Sequence, residues 1–431
     1  MKRPHEEPVC SALPRELLAR IIGASERPAL AQVCQAWRSA EREVDWFGEV
    51  ERAAEPCARC ELAFTGPGVS LAGQHTMLLG EYVAELRALL GPEREACGLT
   101  RALSLFVLQG LAVWRAQPTT CLLQCALYYV RDLWDKPLAA RHFHQRDFRI
   151  NFFEEGHTYL LAMRDADRRW FLATNIESPV PGLRSRWLTS TTAMNDDLFA
   201  EFVEDDAIDC IFRGRRYRTA DPTYQYTDMT REQIKAAWEK RRADGTAMHL
   251  NLEHEVNGLP YSEEGAEWPH YVRYKRAWVD GRLAPYRAEW LLYNEALRLT
   301  GSVDIVYAVL DAQGAPACDP EGRPLLYVGD WKRANELLKE NTWQCGTRAC
   351  TEDMQDSKIS HYRVQLNNYR QLLTHEDAYG VCVTGCSIIG LDPAQEDYIK
   401  YDVVWEPERV RAIWAYWAQK IGTCNADSPE L

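Results

Sequence analysis

The segment that most constrains this chain lies between residues 299 and 332. Gly301-Ser-Val-Asp-Ile-Val-Tyr-Ala-Val309 and Leu325-Leu-Tyr-Val-Gly-Asp-Trp331 read as two strands, joined as a hairpin by the Gly- and Pro-rich stretch 311–324. Asp304 interrupts an otherwise apolar strand, where a buried carboxylate without a partner is costly. Alternation puts Asp330 and Lys332 on one face of their strand and Trp331 on the other. Hairpin pairing brings Asp304 beside them. Two carboxylates and an ammonium converging at strand ends suit a hard, oxygen-seeking cation, with the Lys placed to hold or activate a water.

The flanking elements can be placed from their stop and start signals. Thr230 with Gln233 forms a capping box ahead of Ile234, Ala237 and Trp238, which starts a helix. Gly245 is expected to end it, and a second helix from about Thr246 to run to the Asn257-Gly258 stop. His249 and Glu253, four apart, share a face of that helix. Tyr286 to Tyr293 is a further strand, Ser360 to Leu373 a helix with Gln365 and Tyr369 on one face, Tyr379 to Ile389 a strand, and Glu406 to Gln419 a closing helix. The order helix, three strands, helix, strand describes a mixed sheet with helices packed on it. Each residue alone has a plain structural reading. Asp330 with Lys332 makes a surface ion pair, His249 a satisfied histidine, and Gln365 and Tyr369 pack a helix. Asp304 is the one least easily read that way.

The first 140 residues have a different texture. Leu17, Leu18, Ile21 and Ile22 behind Pro14, then Leu30, Val33, Cys34 and Trp37, form two apolar stripes at helical spacing within residues 10–48. Residues 75–140 read as further helices, and Phe148 to Phe153 and His157 to Met163 as strands.

Composition bounds the rest. Sixty-three acids against fifty Lys and Arg give 431 residues a net charge of −13. That balance excludes a protein that coats nucleic acid indiscriminately, but it leaves room for a local basic cleft. Such a surplus lies just before His249. Between Arg213 and Arg242 stand nine basic side chains, against six acids when Asp209 and Asp244 at the edges are included. Arg215, Arg216 and Arg218 are its densest part. A hydrophobic share of 46% excludes general disorder. The longest apolar helical run, Leu103 to Trp114, falls short of the roughly 18–20 residues that span a bilayer. With no apolar leader at Met1 to Pro8, the fourteen scattered Cys are expected as reduced thiols in a cytoplasmic or nuclear protein.

Taken together, Asp304, Asp330-Trp-Lys332, Gly245-Thr-Ala-Met-His249 with Glu253, and Gln365-Leu-Asn-Asn-Tyr369 resemble the PD-(D/E)XK nuclease core in its RecB and lambda-exonuclease branch. Gly301-Ser-Val-Asp304, the Asp-Trp-Lys-Arg run and Gln-Leu-Asn-Asn-Tyr are similar to nucleases of large DNA viruses. The resemblance covers about residues 145–420. It implies a restriction-endonuclease-like α/β core whose mixed central sheet is flanked by helices. With the all-helical N-terminal region expected from the apolar stripes before residue 140, the fold class expected is α+β. The resemblance further implies a Mg²⁺- or Mn²⁺-dependent deoxyribonuclease, exonucleolytic or endonucleolytic, with DNA as partner. Asp304, Asp330, the carbonyl of Trp331 and His249 would hold the metal. Glu253 would be the acidic residue of the first helix, Lys332 would position and help deprotonate the attacking water, and Gln365 and Tyr369 would fix the scissile phosphate or the Lys. The chain departs from the branch members that carry an iron–sulfur cluster. Cys345, Cys350, Cys382 and Cys386 lack the spacing, and Cys57-Ala-Arg-Cys60 is a lone pair.

Leu13-Pro14-Arg-Glu16-Leu17-Leu18, Ile21-Ile22, Leu30, Val33-Cys34 and Trp37-Arg38 resemble an F-box, which implies docking on a Skp-type adaptor of a cullin ubiquitin ligase. The alternative to a nuclease is then a ubiquitin-ligase substrate receptor whose nuclease-like domain binds DNA or protein without cutting. The expected organisation is an F-box-like module at 10–48, a helical region at 50–140 and a nuclease-like domain at 145–420.

Overall fold

A computed structural model describes residues 45–65, 74–90, 98–117, 119–133, 136–154, 156–165, 167–175 and 188–426. The F-box-like segment lies, up to residue 44, outside these residues. The chain divides into two compact units, with the division in sequence between Leu188 and Thr189. Both α and β elements are present, and no helix among the described residues is long and apolar enough to cross a membrane.

The first unit contains α1 (Trp46–Ala54), β1 (Glu61–Thr65), β2 (Gln74–Leu78), α2 (Leu79–Leu90), α3 (Leu99–Ala116), α4 (Cys121–Asp132), α5 (Pro137–Arg141), β3 (Ile150–Phe153), β4 (Thr158–Arg164) and β5 (Trp170–Thr174). The expected all-helical N-terminal region is therefore corrected. β1 and β2 pair antiparallel, with Leu62 and Phe64 alternating inward, and the helical run expected from residue 75 begins at Leu79, after β2. The domain boundary is corrected as well. β3, β4 and β5 form a separate antiparallel sheet, and Phe148, Leu160, Ala162 and Trp170 share one core with Leu103, Phe106, Leu122 and Val130. Residues 145–175 belong to the first unit because the apolar faces of their strands are buried there.

The second unit contains β6 (Thr189–Ser190), α6 (Thr191–Leu198), α7 (Glu204–Arg213), α8 (Arg215–Arg218), α9 (Arg231–Asn257), α10 (Trp268–Tyr274), β7 (Leu283–Asn294), β8 (Leu299–Val309), β9 (Leu325–Lys332), α11 (Lys358–Thr374), β10 (Cys382–Gly390), β11 (Ile399–Val403) and α12 (Pro407–Ala426). Its mixed sheet runs β11-β10-β9-β8-β6, with β7 on β8. β10 is parallel to β9, and the β7–β8 and β8–β9 pairs are antiparallel. Val303, Val306, Leu326, Val328 and Ile388 from the sheet pack with Leu366 and Leu373 of α11 and Ile413 and Trp414 of α12. At 25 cal/mol per Å² of apolar area removed from water, each such side chain stabilises the unit by about 1.5–3 kcal/mol.

The expected capping box is present. Gln233 N donates to Thr230 Oγ1 at 3.3 Å, and Thr230 N to Gln233 Oε1 at 2.7 Å. The stop at Gly258 is present too, in the left-handed region at φ +71°. Gly245, however, does not break the helix. It keeps a negative φ, and α9 runs unbroken through it for 27 residues. Met248, Leu252 and Val256 bury the C-terminal half of α9, so tertiary packing outweighs the roughly 1 kcal/mol that an interior Gly costs.

Candidate metal centre

The site forms where the sheet opens. The β8–β9 ladder runs from Ala308 opposite Leu326 to Ile305 opposite Gly329 and stops there. The next step of the same register would place Asp304 opposite Asp330. Instead of a ladder bond, Trp331 N donates to Asp304 Oδ2 at 2.8 Å, so a carboxylate satisfies the backbone amide and is itself oriented. On the other edge of β8, Ala288 faces Ile305 and Trp290 faces Val303. Glu289, between them, falls opposite Asp304. Glu289, Asp304 and Asp330 therefore occupy one row across three strands and share a face.

Sequence reasoning missed Glu289. Its side chain, with those of His249 and Asp304, forms the one group of three His, Cys, Asp or Glu among the described residues whose ligand atoms all lie within 4.8 Å of one another. Glu289 holds an unusual backbone, with φ at +44°, where a side chain with Cβ is disfavoured by about 1 kcal/mol or more. Ser302 Oγ donates to Glu289 Oε2 at 2.7 Å. A carboxylate inside the strand Tyr286–Tyr293 was the available signal, of the same kind that singled out Asp304.

The electrostatics follow from burial. Asp330 is fully buried and its carboxylate pairs with Lys332 Nζ at 2.6 Å. Asp304 Oδ2 lies 3.8 Å from the same ammonium and 3.5 Å from His249 Nδ1. Burial pushes the Asp330 carboxyl up to about 7, and Asp304 adds to this while Lys332 opposes it. Burial also raises Asp304, against Lys332 and the Trp331 amide. Burial opposes the Lys332 charge, but Asp330 and Asp304 outweigh it and hold the ammonium above the usual lysine range. Burial, helped by Lys332, brings His249 down to about 4. At neutral pH the imidazole is uncharged and its lone pair is available to a cation.

The remaining sequence candidates fall in two sets. Trp331 supplies its amide to Asp304, and its backbone also hydrogen-bonds His249. Asp330 belongs to the site as the partner of Lys332 and is not one of the three clustered ligands. Glu253 stands one turn beyond His249 on α9 and is outside that cluster as well. Gln365 Nε2 donates to the Tyr369 hydroxyl at 2.8 Å. The ring that covers Lys332 is that of Tyr362, with the ammonium 5.1 Å from its centroid. Tyr362, three residues before Gln365 on the same helix face, went unpredicted. Asn367 and Asn368 of the Gln-Leu-Asn-Asn-Tyr run are structural: Asn367 Oδ1 accepts from Glu406 N at 2.9 Å and Asn368 Oδ1 from Trp414 Nε1 at 2.9 Å.

Gly301 sets the depth of Tyr369. A Cβ there would lie 2.6 Å from Tyr369 Cε1 and 3.0 Å from Thr191 Oγ1, and both neighbours are buried. Gly301→Ala is expected to destabilise the second unit by about 1–3 kcal/mol. The effect is read as a lowered melting temperature and displaced aromatic signals. A variant that melts like the wild type would show that Tyr369 is free to move.

The basic segment is largely neutralised within itself. Arg216 pairs with Asp221 at 2.9 Å, Lys235 with Asp205 at 2.7 Å, Lys240 with Asp244 at 2.9 Å and Arg242 with Glu204 at 3.5 Å. Arg231 pairs with both Asp205 and Asp209. Most of the nine expected cations are thus ion-paired helix-face residues, while Arg215 and Arg218 are exposed.

Two hard carboxylate oxygens and one neutral imidazole nitrogen form a donor set that fits Mn²⁺ or Mg²⁺. Compared with protein-family models and with curated proteins, the chain matches none.

Proposed function

We propose that this chain is a metal-dependent DNA nuclease with a restriction-endonuclease-like core of the PD-(D/E)XK type. The observation that carries the reading is one row of carboxylates, Glu289, Asp304 and Asp330, with His249 and Lys332 at its edge. Lys332 is the ammonium beside this row, paired with Asp330, and a cation held by Glu289, Asp304 and His249 would offset the charge that remains.

His249, Glu289 and Asp304 are the residues that would hold Mg²⁺ or Mn²⁺. Such a cation, when bound, supplies neutralisation of the phosphate charge and an acidified water. Every other role falls to side chains of the chain. Asp330 fixes the Lys332 ammonium through the 2.6 Å ion pair. Lys332 is therefore a hydrogen-bond donor aimed at developing negative charge and at the attacking water, rather than the group that takes the water's proton. Tyr362 shields one side of that ammonium from solvent, which strengthens its electrostatic effect. The Trp331 amide keeps Asp304 in one orientation, and the Gln365–Tyr369 pair orders the wall of α11 beside it.

Purified protein is expected to cleave DNA with Mg²⁺ or Mn²⁺ and to be inert in EDTA. The folded chain is to be assayed on linear duplex, single-stranded and circular DNA with each metal. Failure to cut all three would overturn the reading.

A further inference from the structure

Cys57 and Cys60, in the first unit, are the two ends of a closed turn. Cys60 N donates to the Cys57 carbonyl at 2.8 Å, and Ala58 between them is right-handed at φ −54° and ψ −26°. Such a turn brings its first and fourth Cα within about 7 Å. A disulfide spans Cα separations of about 4.4–6.8 Å. The backbone thus holds the pair near bridging distance while both thiols are free.

The turn is fixed on both sides. Upstream, Ala58 N donates to the Glu55 carbonyl at 3.2 Å, and Cys57 packs against the core that buries α1. Downstream, the Cys60 and Ala58 carbonyls accept from Leu79 N and Gly80 N, each at 2.9 Å. These are the first two N–H groups of α2, which the helix itself cannot satisfy. The cysteine turn therefore seats the start of α2 and is itself held in shape.

Access separates this pair from other cysteines among the described residues. Cys60 is exposed and Cys57 half-buried, whereas Cys121 and Cys125 on α4 are both buried. Cys382 and Cys386 stand four residues apart along β10, about 13 Å and beyond the reach of a bridge. Desolvation and the neighbouring Cys57 hold the Cys60 thiol above its usual range, with Arg115 opposing. Little of it is thiolate at neutral pH, and the thiolate is the attacking form. Exchange with a disulfide then speeds up as the pH rises.

We propose that Cys57 and Cys60 are a reversible dithiol–disulfide pair, a modification site whose co-reactant is a small disulfide of the glutathione class. The proposal is independent of the nuclease reading. Cys60, the exposed member, attacks one sulfur of oxidised glutathione, whose S–S bond breaks and releases one glutathione thiolate. Cys57 then attacks the Cys60 sulfur of the mixed disulfide and releases the second glutathione. The two protons lost by the cysteines end on the two glutathione thiols. Two protein thiols are oxidised and one glutathione disulfide is reduced.

The test equilibrates the full chain at rising ratios of oxidised to reduced glutathione, quenches it with acid and maps it with trypsin. Cleavage after Arg59 parts the two cysteines, so only a bridge keeps their peptides together. The joined peptides are expected, lighter by two hydrogens than their sum and free of glutathione. The same titration in urea measures what the turn contributes. The native chain is expected to close the bridge at a ratio about tenfold lower than the unfolded chain. Cys57→Ala removes the resolving thiol and is expected to keep one glutathione on Cys60. Two glutathiones on the wild-type pair, a bridge from either residue to another cysteine, or closure at equal ratios in native and unfolded chain would each overturn the proposal.

Discussion

Asp304→Asn and Asp330→Asn are each expected to lower the rate of metal-dependent DNA cleavage at least a hundredfold, about 3 kcal/mol of transition-state stabilisation. Asparagine keeps the volume of the carboxylate and removes its charge. At position 304 its amide oxygen can still accept the Trp331 N–H that now bonds Asp304 Oδ2 at 2.8 Å, so the fold has no reason to change. At position 330 the substitution removes the 2.6 Å partner that fixes the Lys332 ammonium. The two variants should fail in different ways. Asp304→Asn, with Glu289→Gln, should demand more Mn²⁺ for the activity that remains, because both remove clustered ligand atoms. Asp330→Asn and Lys332→Met should lose rate at saturating Mn²⁺, because they remove the donor and its holder. Cleavage rates against Mn²⁺ concentration separate the two effects. Undiminished cleavage by Asp330→Asn would end the assignment of Lys332.

Much of this site was legible because the sequence breaks its own patterns there. Asp304, Asp330 and Lys332 are charges inside apolar strands, and burying a charge needs a reason. The helices that flank them were legible where capping chemistry is local, at Thr230 with Gln233 and at Gly258. Glu289 was not legible as a ligand because its place depends on register. The β7–β8 register runs unbroken from Asn294 opposite Leu299 to Arg287 opposite Val306, and it is where the hairpin turns, between residues 294 and 299, that puts Glu289 opposite Asp304. A turn placed one residue earlier or later would move Glu289 off that row. The misplaced domain boundary has the same origin. Strands β3 to β5 carry nothing that tells which core will bury them, since Phe148 and Leu160 meet Phe106 and Leu122 only through long-range packing. Gly245 shows the converse error: a Gly stops a helix when it takes the left-handed conformation, and here the packed half of α9 holds it in line.

The buried carboxylates should also make the metal-free protein less stable as the pH rises, and a cation should reverse this. Asp330 binds its proton up to about 7 in the folded chain, against about 4 unfolded. Between those values the native state holds more protons than the unfolded state, so stability falls with rising pH and levels off above 7. His249, brought down to about 4, acts with the opposite sign between about 4 and 6.5, so the wild-type profile alone hides both. The difference between Asp330→Asn and wild type isolates the carboxylate, because the histidine contributes to each. In the absence of metal, the variant should therefore gain stability relative to wild type from pH 4 to 7, reaching roughly 2 kcal/mol or more. Above pH 7 the gain should stay constant. Mn²⁺ at about a hundred times its dissociation constant should stabilise the wild type by about 2.7 kcal/mol. Asp304→Asn, which has lost a clustered ligand, should gain much less. Melting temperatures at a series of pH values, with and without Mn²⁺, test both arms. A difference between variant and wild type that stays flat from pH 4 to 7 would mean that Lys332 already compensates Asp330 in full. An equal Mn²⁺ shift in wild type and Asp304→Asn would place the cation somewhere other than this row of carboxylates.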